Sequence, residues 1–574
     1  MSMTPLRYVP AWMPSSIACL RDYNLRTFLQ DCIAGITVGL VALPLAMAFS
    51  IASGVSPQAG LYTAVVAGFL ISALGGSRTQ IGGPTGAFVV IVSGIVLRFG
   101  VAGLALVGIL AGFLLLIMGL TGLGSAVKYI PRPVIIGFTN GIALLIASTQ
   151  IKDFLGLTTP PLPSEVIVRT MMLIRYAGTI RLQTVAIAVG SLAVILLWPR
   201  ITKRIPGTIV ALLGATVVVA VFHLPVETIG TKFGGIPIGF PGLTLPDLHA
   251  EHILPLLPSA FTVALLAAVE SLLSAVVADG MTGDRHNSNV ELVAQGVANI
   301  VSPLFGGIPA TGAIARTATN IRSGAQTPIA GIIHALTLLT ILLVAAPLAR
   351  FVPLATLAAV LFVVAYNMGE WREIGTILRL SRTDIAVWFT TFLLTVVADL
   401  TVAVGVGMAL AALLYIYRVA ETTTVAPVTP EYLDDGMAHV LQGKDIPANV
   451  TILRIHGPFL FGTTQKLAEA TLDLKPLATV VILRLRNMTA IDATGIHALE
   501  QLSDRLHKAG RTLLLCGARD QPARLIDRSE FIDRIGRQNV LPHVQAALAR
   551  AREIQGDFDG IGQNWARAMQ RQTM

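Results

Sequence analysis

Residues 81–90 read IGGPTGAFVV. Three glycines and a proline crowd around Thr85, and the chain then becomes smoothly apolar. Between two soluble elements this would be a turn. Its flanks here, however, are apolar runs of membrane-helix length, so the stretch reads as a membrane helix that starts with a broken backbone. A half-helix starting inside a membrane carries unpaired N–H groups and a partial positive charge at its first turn. Irregular backbone is tolerated at that depth only where it is buried in protein or lines a cavity.

Composition supports the membrane setting. The 574 residues are 54% hydrophobic and 13% charged, with a mean hydropathy of +0.73, against about 25% charged in soluble domains. The charge is uneven. Residues 1–420 hold 23 Lys/Arg and 15 Asp/Glu, while 421–574 hold 18 and 17. The first part reads as a membrane domain and the tail as a soluble domain. The net charge of +9 does not point to nucleic acid. Arg21, Arg26, Lys203, Arg204, Arg379, Arg382 and Arg418 lie at helix ends and loops, as the positive-inside rule places them. No cleaved signal peptide is apparent in the first 30 residues. Cys19, Cys32 and Cys516 have no metal-binding spacing and read as reduced structural residues.

Runs near the length of a membrane crossing, about 20 residues, fall near 32–52, 57–75, 84–99, 103–123, 131–150, 183–198 and 206–223. A second set falls near 255–278, 288–304, 311–323, 328–349, 353–368, 383–399 and 401–419. The fold class read here is a multi-pass α-helical membrane protein of 14 segments in a 7+7 inverted repeat, followed by a cytoplasmic α/β domain. The organisation is an N-terminus over 1–30, a transmembrane domain over 31–420, a linker over 421–438, a soluble domain over 439–555 and a tail over 556–574. An even number of spans puts both termini on one side, and Arg418 at the last exit makes that side the cytoplasm.

The second half holds a matching break, FGGIPATGAIAR over 305–316. Aligning Thr85 with Thr311 carries Asp31, before the first span, onto Leu257 at the start of the eighth, and Pro44 onto Glu270. Paired Gly/Pro-broken segments in two repeats point to a transporter's binding site. Two facing half-helix starts make an anion site without a formal charge. Glu270 is the lone charge of residues 255–278, a costly placement that marks function. With Ser274 one turn on, it is a candidate site for a proton or sodium ion. Arg316, one turn into the second half-helix, is a candidate oxyanion contact. Several other features read as structural. Asp399 closes a helix junction, Gly405–Gly407 lies in a membrane helix, and His334 is expected to be hydrogen-bonded within the bundle. Asp279, Asp284 and Arg285 belong to a surface loop. No nucleophile elbow, zinc motif or phosphate-cradling loop argues for an enzyme.

In the tail, VTILRIHG, TVVILRLRN and RTLLLCGA alternate with helical stretches near 463–474, 493–508 and 540–554. That rhythm predicts a mostly parallel sheet. Asp492 caps the helix that follows the second strand, and Thr494 beside it is a candidate regulatory phosphosite.

These motifs resemble the SulP/SLC26 anion transporter family over nearly the whole chain. SPQAGLYTAVVAGFLISALGGSR (56–78) is similar to the family signature, with Ala59 where an aromatic is usual. AAVESLLSAVVADGMTG and GGIPATGAIARTATNIRSGAQTP resemble the family's eighth and tenth spans, and DATG resembles a turn of its STAS domain. The wording of spans 8 to 10 is most similar to the bacterial branch associated with C4-dicarboxylates. The resemblance implies a core of spans 1–4 and 8–11, a gate of spans 5–7 and 12–14, and elevator-like secondary active transport. The substrate contacts it implies are Phe49, Thr85, Gly86, Ala87, Ala313, Ile314, Ala315 and Arg316, with Glu270 at the coupling position. Pro44-Leu45 departs from the family's Pro-Gln, and Glu in place of Asp at 270 leans towards proton coupling. No metal or cofactor is implied beyond a coupling H+ or Na+. The function expected is symport of an oxyanion such as sulfate across the inner membrane; bicarbonate or C4-dicarboxylate symport and an uncoupled anion channel are the alternatives. Expected partners are the small anion, membrane lipid, a second copy in a homodimer, and a cytoplasmic protein at the STAS domain.

Overall fold

The computed structural model describes residues 12–20, 23–125, 131–160, 162–163, 165–202, 206–236, 239, 242–243, 250–379, 381–398, 400–428, 446–472 and 477–556. Asp399, Arg21, Lys203 and Arg204, singled out in the sequence, lie outside the described residues, as do most of the expected linker and tail. The chain divides into two compact units, Met1–Ala411 and Ala412–Met574.

The first unit is helical: α1 Leu25–Ala52, α2 Pro57–Leu74, α3 Gly86–Leu120, α4 Arg132–Leu155, α5 Leu182–Ile201, α6 Gly207–Phe222, α7 Ala250–Thr282, α8 Ser288–Leu304, α9 Ile314–Arg322, α10 Ile329–Ala349, α11 Leu354–Met368 and α12 Arg382–Val397, with α13 Leu400–Thr422 spanning the unit boundary. Helix occupies most of each of the fourteen apolar runs among the described residues, the run near 311–323 opening on the two-residue strand Thr311–Gly312. The third and fourth share α3, which Gly100 interrupts with φ of 71°. Among the described residues eight helices are long and apolar enough to cross a membrane, and α6 is a shorter apolar one. The short α9, nine residues, is the half-helix that the sequence break implies.

The helices sort into two packing groups. One gathers α1, α2, α3, α7, α8, α9 and α10; in the other α4 packs on α11 and α12, and α5 on α6 and α11. A buried polar framework holds the first group together. The expectation that Asp31 precedes the first span is corrected: it lies inside α1 and is fully buried. It accepts hydrogen bonds from the Gln326 amide at 2.8 Å, the Thr327 amide at 3.2 Å and the Thr327 hydroxyl at 2.5 Å. Glu291, also fully buried, accepts from the Gly76 and Ser77 amides at 3.0 and 3.3 Å and from Gln295 at 2.9 Å. Each carboxylate thus pins the chain segment that follows a helix of the other repeat. A buried amide without an acceptor costs about 1–3 kcal/mol, so these residues hold two turns that would otherwise cost stability.

The second unit carries a five-stranded sheet in the order β3 Thr424–Pro427, β4 Val450–Phe459, β5 Val480–Ile491, β6 Thr512–Cys516 and β7 Val540–Leu541. The β3–β4 pair is antiparallel and the rest are parallel. Helices α14 Thr464–Ala470, α15 Ala493–Lys508 and α16 Asp520–Arg528 follow, and residues 544–556 are helical. Period-two alternation splits the core. Val481, Leu483 and Leu485 face one layer with Leu499 and Leu502, while Val480, Ile482 and Cys516 face the other with Ala547 and Ala551.

Candidate anion site

The two broken segments meet. β1, Gly82–Gly83, and β2, Thr311–Gly312, form an antiparallel pair in which Gly82 faces Gly312 and Gly83 faces Thr311. The sense is what two oppositely running repeats require. Half-helix α3 starts after Thr85 and α9 after Ala313; neither N-cap residue gives its helix a side-chain capping bond. The ribbon is held from all sides. Asn299 brackets the peptide of Ala310, accepting from its N–H at 2.9 Å and donating to its carbonyl at 2.8 Å. The Thr317 hydroxyl accepts from the Ile81 amide at 3.0 Å, Thr311 donates to the Ala267 carbonyl at 3.0 Å, and Asn320 donates to Thr79 at 2.9 Å. Gly83 has φ of 146°, and a Cβ there would lie 2.8 Å from Arg316 Nη1; only glycine fits both demands.

Thr85 Oγ1 donates to Glu270 Oε2 at 2.8 Å. The hydroxyl that a soluble helix would use as its own cap instead joins the α3 start to the lone carboxylate of α7. Glu270 is partly exposed, and among the described residues no ion pair joins it to Arg316. Arg316 is 2% exposed and donates through Nη2 to the Pro84 carbonyl. Its Nη1 has no protein partner among the described residues. A permanent cation therefore stands under the turn between β1 and α3, adding to the field of both helix starts.

The remaining predicted contacts assemble around this centre. Phe49 is buried on α1, and a Cβ on Gly86 would lie 3.3 Å from its ring, 3.2 Å from Ile146 of α4 and 3.7 Å from Met368 of α11. The start of α3 therefore sits where the two helix groups meet. Ala87 and Ala313 are buried, while Ile314 and Ala315 are exposed. Ser274 shares the α7 face with Glu270, but its hydroxyl pairs with Thr317 at 3.0 Å. The expectation for His334 is corrected: it is fully buried, and neither ring nitrogen has a protein hydrogen-bond partner among the described residues. The sequence reading missed Asn299 of α8 and Thr317 and Asn320 of α9, all buried polar side chains. Among the described residues no three His, Cys, Asp or Glu side chains gather to hold a metal ion.

In the second unit Asp492 caps α15, accepting from Gly495 at 2.8 Å and from the Phe461 amide at 2.9 Å. Thr494 is exposed in the first turn of α15.

Two half-helices thus start at the ribbon, with a buried arginine and a hydrogen-bonded carboxylate beside them. The sulfate permease family model matches residues 28–391 and the STAS domain model residues 444–547. The chain belongs to the sulfate permease family, a family of transporters rather than enzymes. A putative sulfate transporter of Bacillus subtilis is 41% identical over 525 residues, covering 91% of this chain and 98% of that one. A bicarbonate transporter of Picosynechococcus is 32% identical over 543 residues, 92% and 95% of the two chains. The solved transmembrane domain of a cyanobacterial bicarbonate transporter superposes with a TM-score of 0.62 at 34% identity, over 67% of this chain and 99% of that one. The inward-facing murine Slc26a9 anion transporter shares the fold at a TM-score of 0.83 and 19% identity, over 94% of each chain.

Proposed function

We propose that this transporter carries an oxyanion such as sulfate across the inner membrane by ion-coupled symport, with both termini cytoplasmic. The Thr85–Glu270 hydrogen bond supports this reading most directly. It ties an uncapped helix start, suited to an anion, to a carboxylate suited to a proton or sodium ion. Occupancy of one is then felt at the other. Phe49, Thr85, Gly86, Ala87, Ala313, Ile314, Ala315 and Arg316 surround the anion; Glu270 takes the coupling ion, and Ser274 supports it through Thr317. The sorting of the helices into two packing groups that meet at Gly86 favours an elevator, in which the group bearing the ribbon slides against the other. A homodimer and a protein partner at the STAS domain belong to the same proposal, with Thr494 as its regulatory phosphosite.

The 41% identity to a putative sulfate transporter supports sulfate. Bicarbonate is the second reading, favoured by the 32% identity and near-complete coverage of a bicarbonate transporter. The test is uptake of radiolabelled sulfate, bicarbonate, succinate and fumarate into proteoliposomes under an imposed proton or sodium gradient. Gradient-driven accumulation of sulfate is expected. Accumulation of bicarbonate or of a dicarboxylate alone replaces the substrate, and conductance indifferent to both gradients replaces symport with a channel.

A further inference from the structure

Arg316 is secured at one nitrogen only. Nη2 meets the Pro84 carbonyl, while Nη1 points towards Gly83 and α2 without a protein partner among the described residues. A guanidinium only donates, so whatever holds Nη1 must bring a lone pair. The neighbouring polar groups are few and all buried. A Cβ on Gly68 would lie 3.2 Å from the Gly82 carbonyl oxygen and 3.7 and 3.8 Å from Cε1 and Nδ1 of His334. The Gly82 carbonyl and the imidazole thus both border Gly68 on α2, and Gly82 is next in the chain to Gly83, beside which Arg316 Nη1 lies. Ser72, one turn beyond Gly68 on the same face of α2, presents its hydroxyl to Gly331, one turn before His334 on α10. His334 and Ser72 are 0% and 4% exposed.

Arg316 Nη1 beside Gly83 and Ala64, the imidazole beside Gly68 and Ser72 Oγ beside Gly331 therefore follow one face of α2, at residues 64, 68 and 72, and none of these polar groups has a protein partner among the described residues. Buried polar side chains in native proteins are overwhelmingly hydrogen-bonded, to protein or to ordered water, and buried waters typically join about three such groups. We propose that water held along this face links Arg316 Nη1 to His334 and Ser72, and that His334 is a positioning residue for the anion-site arginine. A neutral imidazole supplies one acceptor and one donor, the pair needed to pass hydrogen bonding from a donor-only guanidinium to a hydroxyl. The inference rests on Arg316 serving the anion, and the experiment separates the two.

The first arm does not depend on transport. X-ray radiolytic labelling of the full-length protein in lipid nanodiscs oxidises side chains next to water. His334 is expected to be labelled at a rate approaching that of exposed His223 despite its burial, and Arg316→Met is expected to slow that labelling. A His334 that stays unlabelled, or is labelled equally in Arg316→Met, overturns the shared water. The second arm measures radiolabelled sulfate and bicarbonate uptake by His334→Phe and His334→Gln. The phenylalanine variant is expected to raise the half-saturating concentration about fivefold, the scale of one net hydrogen bond, with an unchanged maximal rate. The glutamine, which keeps a donor and an acceptor, is expected to stay near the parent. Equal behaviour of the two variants overturns the positioning role. Should His334→Phe not fold, Ser72→Ala takes its place, with a raised half-saturating concentration expected and an unchanged one counting against the proposal. If the parent carries neither anion, the function proposed above falls, and the labelling alone decides the shared water.

Discussion

Thr85 Oγ1 and Glu270 Oε2 are 2.8 Å apart although 185 residues separate them in the chain. One belongs to the first repeat's helix start and the other to the second repeat's first helix.

Glu270→Gln keeps an acceptor for Thr85 but removes the ionisable group. Gradient-driven accumulation is expected to fall to the passive level while exchange of the same anion persists. Thr85→Val removes about one net hydrogen bond, ~1 kcal/mol, and is expected to raise the half-saturating concentration roughly fivefold. Uptake and counterflow in the same proteoliposomes check both. Accumulation by Glu270→Gln at the parent's level would remove it as the coupling residue.

The ribbon glycines provide a steric test. Gly83→Ala forces a side chain to φ of 146° and 2.8 Å from Arg316 Nη1, and Gly312→Ala brings a Cβ to within 1.8 Å of Gln80 Nε2. Backbone strain at Gly83 costs about 1–3 kcal/mol, and at Gly312 the Gln80 side chain must give way beside the Ser271 backbone, so uptake is expected to drop more than tenfold in each. Gly94 has nothing within 4 Å, and Gly94→Ala is expected to match the parent in uptake and expression.

The Asp31 and Glu291 anchors predict a loss of stability with no direct loss of anion contact. Asp31→Ala leaves the Gln326 and Thr327 amides without their acceptor, and Glu291→Ala does the same to Gly76 and Ser77. Each orphaned buried amide costs about 1–3 kcal/mol. Thermal unfolding in detergent is expected to shift down by several degrees in each variant, and less in Asp31→Asn, whose amide oxygen still accepts. Unshifted melting would show the turns to be held elsewhere.

In the soluble unit, burial pushes the Cys516 thiol up to about 12, against a smaller lowering by Arg484. The neutral thiol is therefore the form present throughout ordinary buffers, since the charge appears only as pH rises past the raised value. Alkylation of Cys516 by iodoacetamide, followed by mass spectrometry, is expected to be slow and flat between about pH 7 and about pH 9. An ordinary thiol, titrating near 8.5, would accelerate several-fold over that range. A rising rate would show the site to be open to water.

The apolar runs made the helices legible, and the paired breaks at IGGPTG and GGIPATG made the ribbon's two strands legible before any pairing was visible. Glu270 stood out because charge within a long apolar run is costly. The framework was not legible. Asn299, Thr317 and Asn320 act through backbone partners 11, 236 and 241 residues away, and no local pattern encodes such distances. Asp31 read as a flanking charge because its acceptor role depends on a turn near Gln326. His334 read as satisfied because burial without a protein partner is a property of its surroundings, not of its neighbours in sequence. In the soluble unit, alternation and turn residues sufficed for β4, β5, β6 and the cap at Asp492, whereas the short β3 and β7 carry too few residues for a pattern.

The ribbon also constrains how the protein is made. Gly82–Gly83 has its partner at Thr311–Gly312, so during synthesis the first repeat reaches the membrane long before the strand that satisfies it. Peptide groups stranded in lipid without partners are strongly disfavoured. The first repeat is therefore a waiting intermediate, dependent on the insertion machinery or on α2 to shelter its open edge until β2 is released. Biogenesis of this transporter has its commitment point at the second repeat's ribbon strand, and truncations ending before it are expected to be cleared as unfinished chains.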